Sequence, residues 1–385
     1  MRESPKLWYQ GSGLRNVFGL LARIVSDDRA IVIMDEPEAF LHPHQAWKLG
    51  FVLARVCLEE AKQLICATHD RQFLDGLAQG AQEQLKICRL DYHLINGDSH
   101  YTAHQVSSSF WSNMRDKSRV RYSHVLECLF SNHVILVEAE KDALFYQEAL
   151  DHFARVNSDA SGLQHELMFL PTSGNSEFAP MAKLVKEMGP RVLLIGDLDL
   201  ICNEKRFNET ISAVAGETAP RLRELQKQIE KVYEQDPALG ETEQDSLLSQ
   251  IRTSLTTENI SESVRDLWLT HLDHLDAKRN ANKKNELQRR IARDANLRSK
   301  NQTVLNLIRE LLDELTEIGI FLVPWGELED FDVELRKNGK KEWVHNALSK
   351  GVHKGSRAQE FIARIVSSIQ LFDKDSQNTN RTATD

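Results

Sequence analysis

The chain has 385 residues, of which 41% are hydrophobic and 27% are charged, and its 48 basic and 57 acidic side chains give a formal net charge of −9. This is the composition of a globular protein, and the length predicts two or three domains that each bury a core. The acidic balance argues against coating of nucleic acid by the whole surface, but it is compatible with a local basic groove.

The sequence also argues against a membrane protein, a secreted protein and a protein stabilised by zinc. No apolar run approaches the ~18 residues that cross a bilayer, and the first ten residues lack the layout of a signal peptide. The five cysteines are odd in number and show no CxxC spacing, which argues against a disulfide framework and a zinc site. We therefore expect a soluble, cytoplasmic protein.

The first segment, residues 1–105, alternates apolar strands with amphipathic helices, which is the pattern of an α/β layer with parallel strands. Strands are predicted over 30–34 and 64–67, a helix over 45–58 lies between them, and an apolar helix over 17–24 comes before them. The polar stretch that follows predicts a linker over 106–130.

Three short motifs in this segment carry chemistry. The first strand ends in Asp35 and Glu36; nucleotide-bound magnesium needs a hard oxygen ligand at a strand end, and hydrolysis needs a carboxylate that orients water. Ser12 and Gly13 open the apolar helix, and a helix N-terminus with a serine is a natural phosphate site. The second strand ends next to His69.

In this order, the three motifs resemble the ABC-type ATPase family. From Ser12 to Asp35 there are 23 residues, and from Glu36 to His69 there are 33, which suits the family. The resemblance implies that Ser12 and Gly13 belong to the signature motif, that Asp35 and Glu36 are the Walker B pair, and that His69 is the switch histidine, with residues 40–42 in the D-loop. The sequence DEPEAFLHP is similar to that of the branch of the family that acts on DNA or in defence systems.

The phosphate loop of such an ATPase is missing from the chain. No GxxxxGK[ST] occurs, although its backbone N–H groups and lysine hold the β- and γ-phosphates in the family. Either the chain is the C-terminal part of a longer protein, or a partner supplies the N-terminal lobe, or the ATPase core is a remnant. ATP hydrolysis by this chain alone is not expected, and the incomplete sheet predicts exposed apolar surface and association.

A second α/β alternation has strands over 134–137 and 191–195 and a helix over 142–153, so two sheets are expected. Glu138 follows the first of these strands and Asp142 opens the helix. Asp197 and Asp199 follow the next strand and face one side.

Four carboxylates cannot all stay ionised together without a cation, and oxygen ligands suit Mg²⁺ or Mn²⁺. Two such ions clamp the attacking and leaving oxygens of a phosphodiester.

These four acids resemble the Toprim fold, the catalytic module of topoisomerases, primases and OLD-family (overcoming lysogenization defect) nucleases. The chain differs at Ala139, where the family usually has glycine. The turn with Ser173 and Gly174 is similar to the family's glycine-containing loop, and these two residues could shape the site. An ABC-type ATPase followed by Toprim is the domain order of OLD-family endonucleases, and the resemblance covers roughly residues 1–200 and resumes near 315.

The resemblance also implies later site residues. Residues 323–331 look like the family's late acidic motif, in which Glu329 is preferred to Glu327 as a further metal ligand. The family uses a lysine near the end of the domain to stabilise charge on the transferred phosphate. Lys354 is the best candidate, and Lys340 and Lys341 compete with it.

The predicted fold class is α/β: a partial ABC-type ATPase lobe over 1–105, then a Toprim-like parallel sheet flanked by helices over 131–203 and 316–372. Residues 204–315 predict a long helical insertion, and residues 373–385 predict a disordered tail. The charged faces of the insertion are most simply solvated. The alternative is nucleic-acid contact by its basic residues, which are Lys278, Arg279, Lys283, Lys284, Arg289 and Arg290.

The function that the resemblance implies is a metal-dependent DNA endonuclease coupled to an ABC-type ATPase, most plausibly in anti-phage defence. Two Mg²⁺ or Mn²⁺ ions would be held by Glu138, Asp142, Asp197, Asp199 and Glu329, with Lys354 on the phosphate. ATP would pair ATPase domains across a homo-oligomer, with the phosphate loop supplied by other residues or by a second subunit.

Two other functions stay open from the sequence. One is a regulatory subunit that binds a partner through its open sheet and does not cut. The other is a topoisomerase, which needs an active-site tyrosine, and Tyr122 and Tyr146 are the residues to consider.

Overall fold

The computed structural model describes residues 11–26, 29–95, 98–106, 125–216, 219–234, 302–332, 334–335 and 340–382. The chain divides into two compact units. Unit 1 comprises Met1–Asn132 and Leu184–Arg191, and unit 2 comprises His133–Lys183 and Val192–Asp385. Among the described helices, none is both long and apolar enough to span a membrane.

Unit 1 begins with alternating helices and strands, as the sequence predicted. They are α1 (Ser12–Ser26), β1 (Ile31–Asp35), α2 (Pro43–Glu59), β2 (Gln63–Ala67) and α3 (Arg71–Ala81). Strands β1 and β2 pair in parallel, so the carboxyl ends of both strands lie at the same edge. An antiparallel hairpin that was not predicted follows; its strands are β3 (Cys88–Ile95) and β4 (Asp98–Gln105).

The two faces of the β1–β2 pair have different surroundings, because side chains alternate along a strand. One face packs on the hydrophobic cluster of the helices, through Val32, Met34, Leu64 and Cys66. The other face leaves Ile31, Ile33 and Ile65 exposed by 54%, 75% and 56%. The exposed apolar surface expected of this lobe is therefore confirmed.

Helices α2 and α3 approach each other so closely that only glycine fits at the contact. A Cβ atom at Gly76 would lie 2.0 Å from the carbonyl oxygen of Trp47, and one at Gly50 would lie 2.3 Å from the carbonyl oxygen of Phe73. Neither backbone atom can yield without a shift of its helix.

Unit 2 is built on a sheet whose strands are β5 (His133–Val137), β6 (Leu167–Pro171), β7 (Arg191–Gly196) and β8 (Ile320–Leu322). Their order is β6-β5-β7-β8, and the pairs β5–β6 and β7–β8 are parallel. The helices are α4 (Glu140–Val156), α5 (Leu163–Glu166), α6 (Phe178–Lys186), α7 (Glu204–Ala215), α8 (Pro220–Glu234), α9 (Gln302–Glu317), α10 (Lys340–Lys350) and α11 (Ser356–Thr382). The fold class is α/β, as predicted.

A continuous hydrophobic core fixes the strand ends of unit 2. Every residue of β5 is buried, as expected for a central strand covered on both faces. Phe145 of α4 packs with Trp343 of α10 and Phe361 of α11 in the same cluster. Ile135 and Val137 of β5 belong to the same cluster, so the strand that leads to Glu138 is packed in the core.

Three predicted segments differ from the structure or lie outside its described residues. Helix α11 continues to Thr382, whereas a disordered tail was predicted over 373–385. Residues 373–382 contain neither glycine nor proline, the residues that interrupt a helix most strongly. Within the predicted linker, Val125–Phe130 forms a 3₁₀ helix with buried side chains. The rest of that linker, Tyr122 included, and residues 235–301 with their basic positions lie outside the described residues.

Candidate functional site

The loop that carries Glu138 is tied to the loop after the neighbouring strand β6. The N–H of Gly174 donates to the carbonyl oxygen of Glu138 at 2.8 Å, and the N–H of Thr172 donates to that of Val137 at 2.9 Å. The Thr172 hydroxyl donates to the same Val137 oxygen at 3.1 Å. Glu138 is therefore held where β5 ends, beside the turn that contains Ser173 and Gly174.

The loop that carries Asp197 is tied in the same way to the loop after β8. The N–H of Val323 donates to the carbonyl oxygen of Gly196 at 2.9 Å, and the N–H of Leu198 donates to that of Gly326 at 2.8 Å. These bonds bring Asp197 next to the stretch that leads into Glu327, although the long insertion separates them in sequence.

Asp197 lies at the centre of the carboxylates of unit 2. Burial and the negative charges of surrounding acids raise the pKa of Asp197 well above its usual range, and those acids are Glu138, Asp142, Glu327 and Asp199. The acids predicted from sequence therefore act on the charge of Asp197. Without an ion, no three of them bring ligand atoms within 4.8 Å of one another among the described residues. A divalent cation would relieve this repulsion, and a donor set made only of oxygen fits Mg²⁺ or Mn²⁺.

Asp142 has a structural task besides its charge. Its carboxylate accepts a hydrogen bond from the N–H of Ala139 at 3.0 Å and so caps the first turn of α4. Ala139 has φ −143° and ψ 165°, an extended conformation that any residue adopts. The exchange of the family's usual glycine for alanine therefore costs no backbone strain here.

Asp199 is held by two residues that are adjacent to it only in space. The Asn175 amide nitrogen donates to the Asp199 carboxylate at 3.1 Å, and an Arg206 guanidinium nitrogen donates to the Asn175 oxygen at 2.6 Å. Because arginine only donates, Asn175 must turn its oxygen to Arg206 and its nitrogen to Asp199. Sequence reasoning missed Arg206, since no local signal relates the start of α7 to this turn.

The two late glutamates both lie near the cluster, in different surroundings. The charge of Glu327 is among those that raise the pKa of Asp197. Glu329 is buried, and its charge acts on Tyr146, whose phenol pKa is raised first by burial and then by nearby carboxylates. The preference for Glu329 over Glu327 as a metal ligand stays a prediction.

Tyr146 cannot act as a topoisomerase nucleophile in this arrangement. It is 2% exposed, and its ring packs against Phe169, Phe331 and Phe361 in the core. A nucleophile has to reach the DNA backbone, which a side chain enclosed by aromatic rings does not do.

The turn that carries Lys354 lies next to the middle of α4. Lys354 is exposed at the end of the 3₁₀ turn Val352–Lys354. Gln359 ties this turn to α4, because its amide donates to the carbonyl oxygens of His353 at 2.7 Å and Ala149 at 3.1 Å. Ala149 lies about 10 Å along the helix from Asp142. The catalytic role of a lysine stays a prediction, and the side chains of Lys340 and Lys341 lie outside the described residues.

The same turn predicts a dependence of stability on pH. Burial, aided by the charge of Lys354, lowers the pKa of His353. Its folded pKa lies below the unfolded value of about 6.5, so the unfolded state binds more protons as the pH falls below that value, and stability is lost there. We expect His353→Gln to lose less stability than the parent in urea unfolding between pH 7.5 and 5.5. The exposed His345→Gln is the control, and equal losses in all three proteins would contradict the expectation.

In unit 1, the candidate nucleotide residues meet at the ends of β1 and β2. The N–H of Glu36 donates to the carbonyl oxygen of Ala67 at 3.0 Å, and Glu36 Oε1 lies 2.6 Å from His69 Nδ1. Partial burial alone would raise the pKa of Glu36, but the bond to His69 lowers it, and the same bond raises the pKa of His69. Each of these two side chains therefore favours the charged form of the other, and the exposed Asp35 lies next to them in the chain.

The start of α1 lies against the turn that follows these residues. A Cβ atom at Gly13 would lie 3.0 Å from the carbonyl oxygen of Phe40 and 2.8 Å from Leu41 Cδ2. Helix α1 begins at Ser12, whose side chain lies outside what the structure describes. The predicted signature, Walker B and D-loop positions are thus neighbours at one edge of unit 1.

Glu38 is the residue of this edge that sequence reasoning missed. It is buried, and its Oε1 accepts a hydrogen bond from the Thr68 hydroxyl. Together with Glu36 and His69 it offers ligand atoms that all lie within 4.8 Å of one another. The spacing of Glu36 and Glu38 at alternate positions was visible in the sequence, but their burial was not.

Two segments of the chain match known families. Residues 5–75, which contain the Ser12, Asp35 and His69 motifs, match the family described as "AAA domain, putative AbiEii toxin, Type IV TA system". Residues 129–199, which contain Glu138 and Asp197, match the family described as "Overcoming lysogenization defect protein-like, TOPRIM domain". The protein thus combines an AAA-type ATPase-like domain with an OLD-like Toprim domain. This is the OLD-family ATPase-plus-Toprim architecture that the motifs indicated. No curated protein matches the chain.

Proposed function

We propose that this protein is a metal-dependent DNA endonuclease whose Toprim domain cleaves phosphodiester bonds. The OLD-like Toprim match suggests nuclease chemistry. The finer proposal is supported by the backbone hydrogen bonds that hold Glu138 and Asp197 at the ends of the neighbouring strands β5 and β7. There Asp197 belongs to a cluster of acids whose charges, together with burial, raise its pKa. Such a cluster is unfavourable without a cation and favourable with one, which is the property of a metal centre.

The candidate residues of unit 2 would have different roles in the nuclease site. Glu138, Asp142, Asp197 and Asp199, with Glu327 or Glu329, would hold two divalent ions. When bound, these ions supply the Lewis acidity that activates water and stabilises the leaving 3′ oxygen. Asn175 and Arg206 fix the direction of the Asp199 carboxylate, and the cap on α4 fixes Asp142. Lys354 or another lysine would offset charge on the phosphate.

The direct test is nicking of supercoiled plasmid by the purified chain. We expect nicking with Mg²⁺ or Mn²⁺, none with EDTA, and none from Glu138→Gln with either ion. Glu140→Gln is the matched control, because Glu140 is an exposed acid in the first turn of α4. Equal nicking by Glu138→Gln and the parent would overturn the site.

Arg206 should act as a positioning residue for Asp199. We expect Arg206→Ala to lower the nicking rate about tenfold and to raise the Mn²⁺ concentration for half-maximal rate, since outer-shell partners typically contribute 10–100-fold in metal affinity or activity. Lys205→Ala removes the exposed preceding cation and should leave both quantities unchanged. A lower rate with an unchanged Mn²⁺ dependence would contradict the positioning role.

Coupling to ATP and a role in defence are further parts of the proposal. Asp35, Glu36 and His69 would act on a nucleotide whose phosphate loop comes from other residues or from a second subunit, and ATP-dependent pairing of these lobes would gate access to DNA. The match to an AAA domain supports the nucleotide part. Phage plating on cells that express the parent or Glu138→Gln tests the role in defence, and equal plating would count against it.

A regulatory subunit that does not cut is the second candidate function. The exposed face with Ile31, Ile33 and Ile65 favours it, because contiguous apolar surface marks interaction sites. This function predicts no nicking under any metal condition, together with an association in light scattering that Ile33→Lys weakens.

A further inference from the structure

We propose that Glu36, Glu38 and His69 form a second metal site, which binds a divalent transition-metal ion such as Zn²⁺ through two carboxylate oxygens and one imidazole nitrogen. This site lies in unit 1 and does not depend on the nuclease function proposed for unit 2. The ATPase resemblance assigns Glu36 and His69 to nucleotide chemistry. We assign them, together with Glu38, to a metal ion.

The first support is geometric. One ligand atom from each of the three residues lies within 4.8 Å of the others, and in the described part of the chain this is the one group of at least three such side chains that close together. Glu36 Oε1 and His69 Nδ1 are already only 2.6 Å apart. An ion needs only small shifts of these atoms to replace the hydrogen bond.

The second support is an enclosed oxygen of Glu38. The residue is 5% exposed, Oε1 accepts from the Thr68 hydroxyl, and Oε2 is buried with no hydrogen-bond partner. The neighbouring Glu36 offers a second carboxylate rather than a donor, so a cation between the two acids would give this oxygen a partner. A buried polar atom without a partner is costly, and a cation would remove that cost.

The charges of the two glutamates also support a cation at this position. Burial raises the pKa of Glu38, the Thr68 bond opposes this shift, and the charge of Glu36 adds to it. The two carboxylates therefore disfavour each other's charge, and an ion of charge +2 would relieve this repulsion.

The backbone presents these groups in a fixed arrangement. Glu36 has φ 45°, a left-handed conformation at the end of β1. Across from it, the N–H of Asp70 donates to the Thr68 hydroxyl oxygen at 3.0 Å, and the Asp70 carboxylate accepts from the N–H of Phe73 at 2.7 Å and so caps α3. His69 is held between these two bonds, and because its side chain is 84% exposed, an ion can enter from solvent.

The donor set selects the class of ion. Imidazole with carboxylates suits Zn²⁺ and its transition-metal neighbours, whereas Mg²⁺ prefers oxygen ligands and keeps its water. Three protein ligands also leave a coordination position open. An ion here would occupy Glu36, the residue that the proposed ATPase chemistry needs for its water.

The test is Zn²⁺ titration by calorimetry, with Co²⁺ as a spectroscopic probe. It uses the full chain with Asp197→Asn and Asp199→Asn, so that the acids of unit 2 do not compete, and nicking is not measured. We expect about one Zn²⁺ to bind to this chain, Co²⁺ to give a visible band, and Mg²⁺ not to compete. Glu38→Gln, which can still accept from Thr68, and the exposed His69→Gln should each weaken Zn²⁺ binding at least tenfold and remove the band, in line with the loss of a ligand.

His44→Gln and Glu60→Gln are the matched controls, because both residues are exposed and lie outside the cluster. They should leave Zn²⁺ affinity unchanged. The proposal is overturned if the unmodified cluster binds no Zn²⁺, or if Glu38→Gln and His69→Gln bind it as tightly as the controls do.

Discussion

We expect Asp197→Asn to lower plasmid nicking by about 10²–10³-fold, the scale of losing an electrostatic contact to the transition state, and at the same time to make the metal-free protein more stable. The two effects have opposite signs because the same property causes them. Burial and the charges of Glu138, Asp142, Glu327 and Asp199 raise the pKa of Asp197, so its ionised form is unfavourable until a cation arrives. Asparagine has nearly the same shape but carries no charge, so it removes both the repulsion and the ligand.

The measurement is thermal unfolding with and without Mn²⁺, beside the nicking assay. Without metal, the transition of unit 2 in the variant should lie about 2 °C above that of the parent, which corresponds to roughly 1 kcal/mol for a unit of about 250 residues. Mn²⁺ should raise the melting temperature of the parent more than that of the variant, because only the state that binds the ion is stabilised. Asp159→Asn, which changes an exposed aspartate, should behave as the parent does.

Two results would contradict this expectation. A variant that nicks at the parental rate would show that Asp197 does not hold a catalytic ion. A variant that is less stable than the parent without metal would show that its charge is not opposed by the surrounding acids.

The second large effect concerns the helix contact of unit 1. We expect Gly76→Ala to destabilise unit 1 by about 3 kcal/mol or more, at the upper end of the cost of overpacking. The added Cβ would lie 2.0 Å from the carbonyl oxygen of Trp47 and 2.9 Å from the nitrogen of Phe51. Both are backbone atoms of α2, so the helices would have to separate rather than rotate a side chain.

Gly19→Ala is the matched control. A Cβ atom at Gly19 meets nothing within 4 Å, and Gly19 lies inside α1. Alanine should therefore stabilise that helix by about 0.5–1 kcal/mol. Limited proteolysis followed by mass spectrometry distinguishes the two variants. Gly76→Ala should be cut within unit 1, while its peptides from unit 2 should stay protected. Equal protease resistance of Gly76→Ala and the parent would contradict the close contact.

Local sequence signals were sufficient for the strands that carry the acids. Strands β1, β2, β5 and β7 are short apolar runs, and each is followed directly by the polar residues of a site, so both the element and its chemistry are visible in a window of about eight residues. The convergence of Glu138 and Asp197 followed from the rule that strand ends gather at one edge. The family matches over 5–75 and 129–199 agree with these motifs.

The β3–β4 hairpin was missed although its signal is local. Residues 88–95 alternate in polarity, with Leu90 and Tyr92 two apart, and Asn96-Gly97 between the two strands is among the strongest hairpin signals. The strands are largely polar and exposed, so a search for buried apolar runs passes over them.

Arg206 and Glu38 could not have been found from local pattern. The bond from Arg206 to Asn175 joins segments of unit 2 that only the fold brings together. The importance of Glu38 rests on its burial and on its enclosed oxygen, which are properties of packing rather than of spacing. Such contacts form only in the folded chain, and a local sequence pattern does not show which distant residues will meet.

The central claim is that the acids around Asp197 form a divalent-metal centre, and anomalous diffraction tests it most directly. Crystals of the chain soaked in MnCl₂ should show an anomalous peak at the manganese edge within bonding distance of the Asp197 carboxylate and of at least one oxygen of Glu138, Asp199 or Glu327. Asp197→Asn crystals treated in the same way should show a weaker peak or none there. Manganese peaks that all lie elsewhere in the parent, with the Asp197 carboxylate in contact with none of them, would contradict the claim.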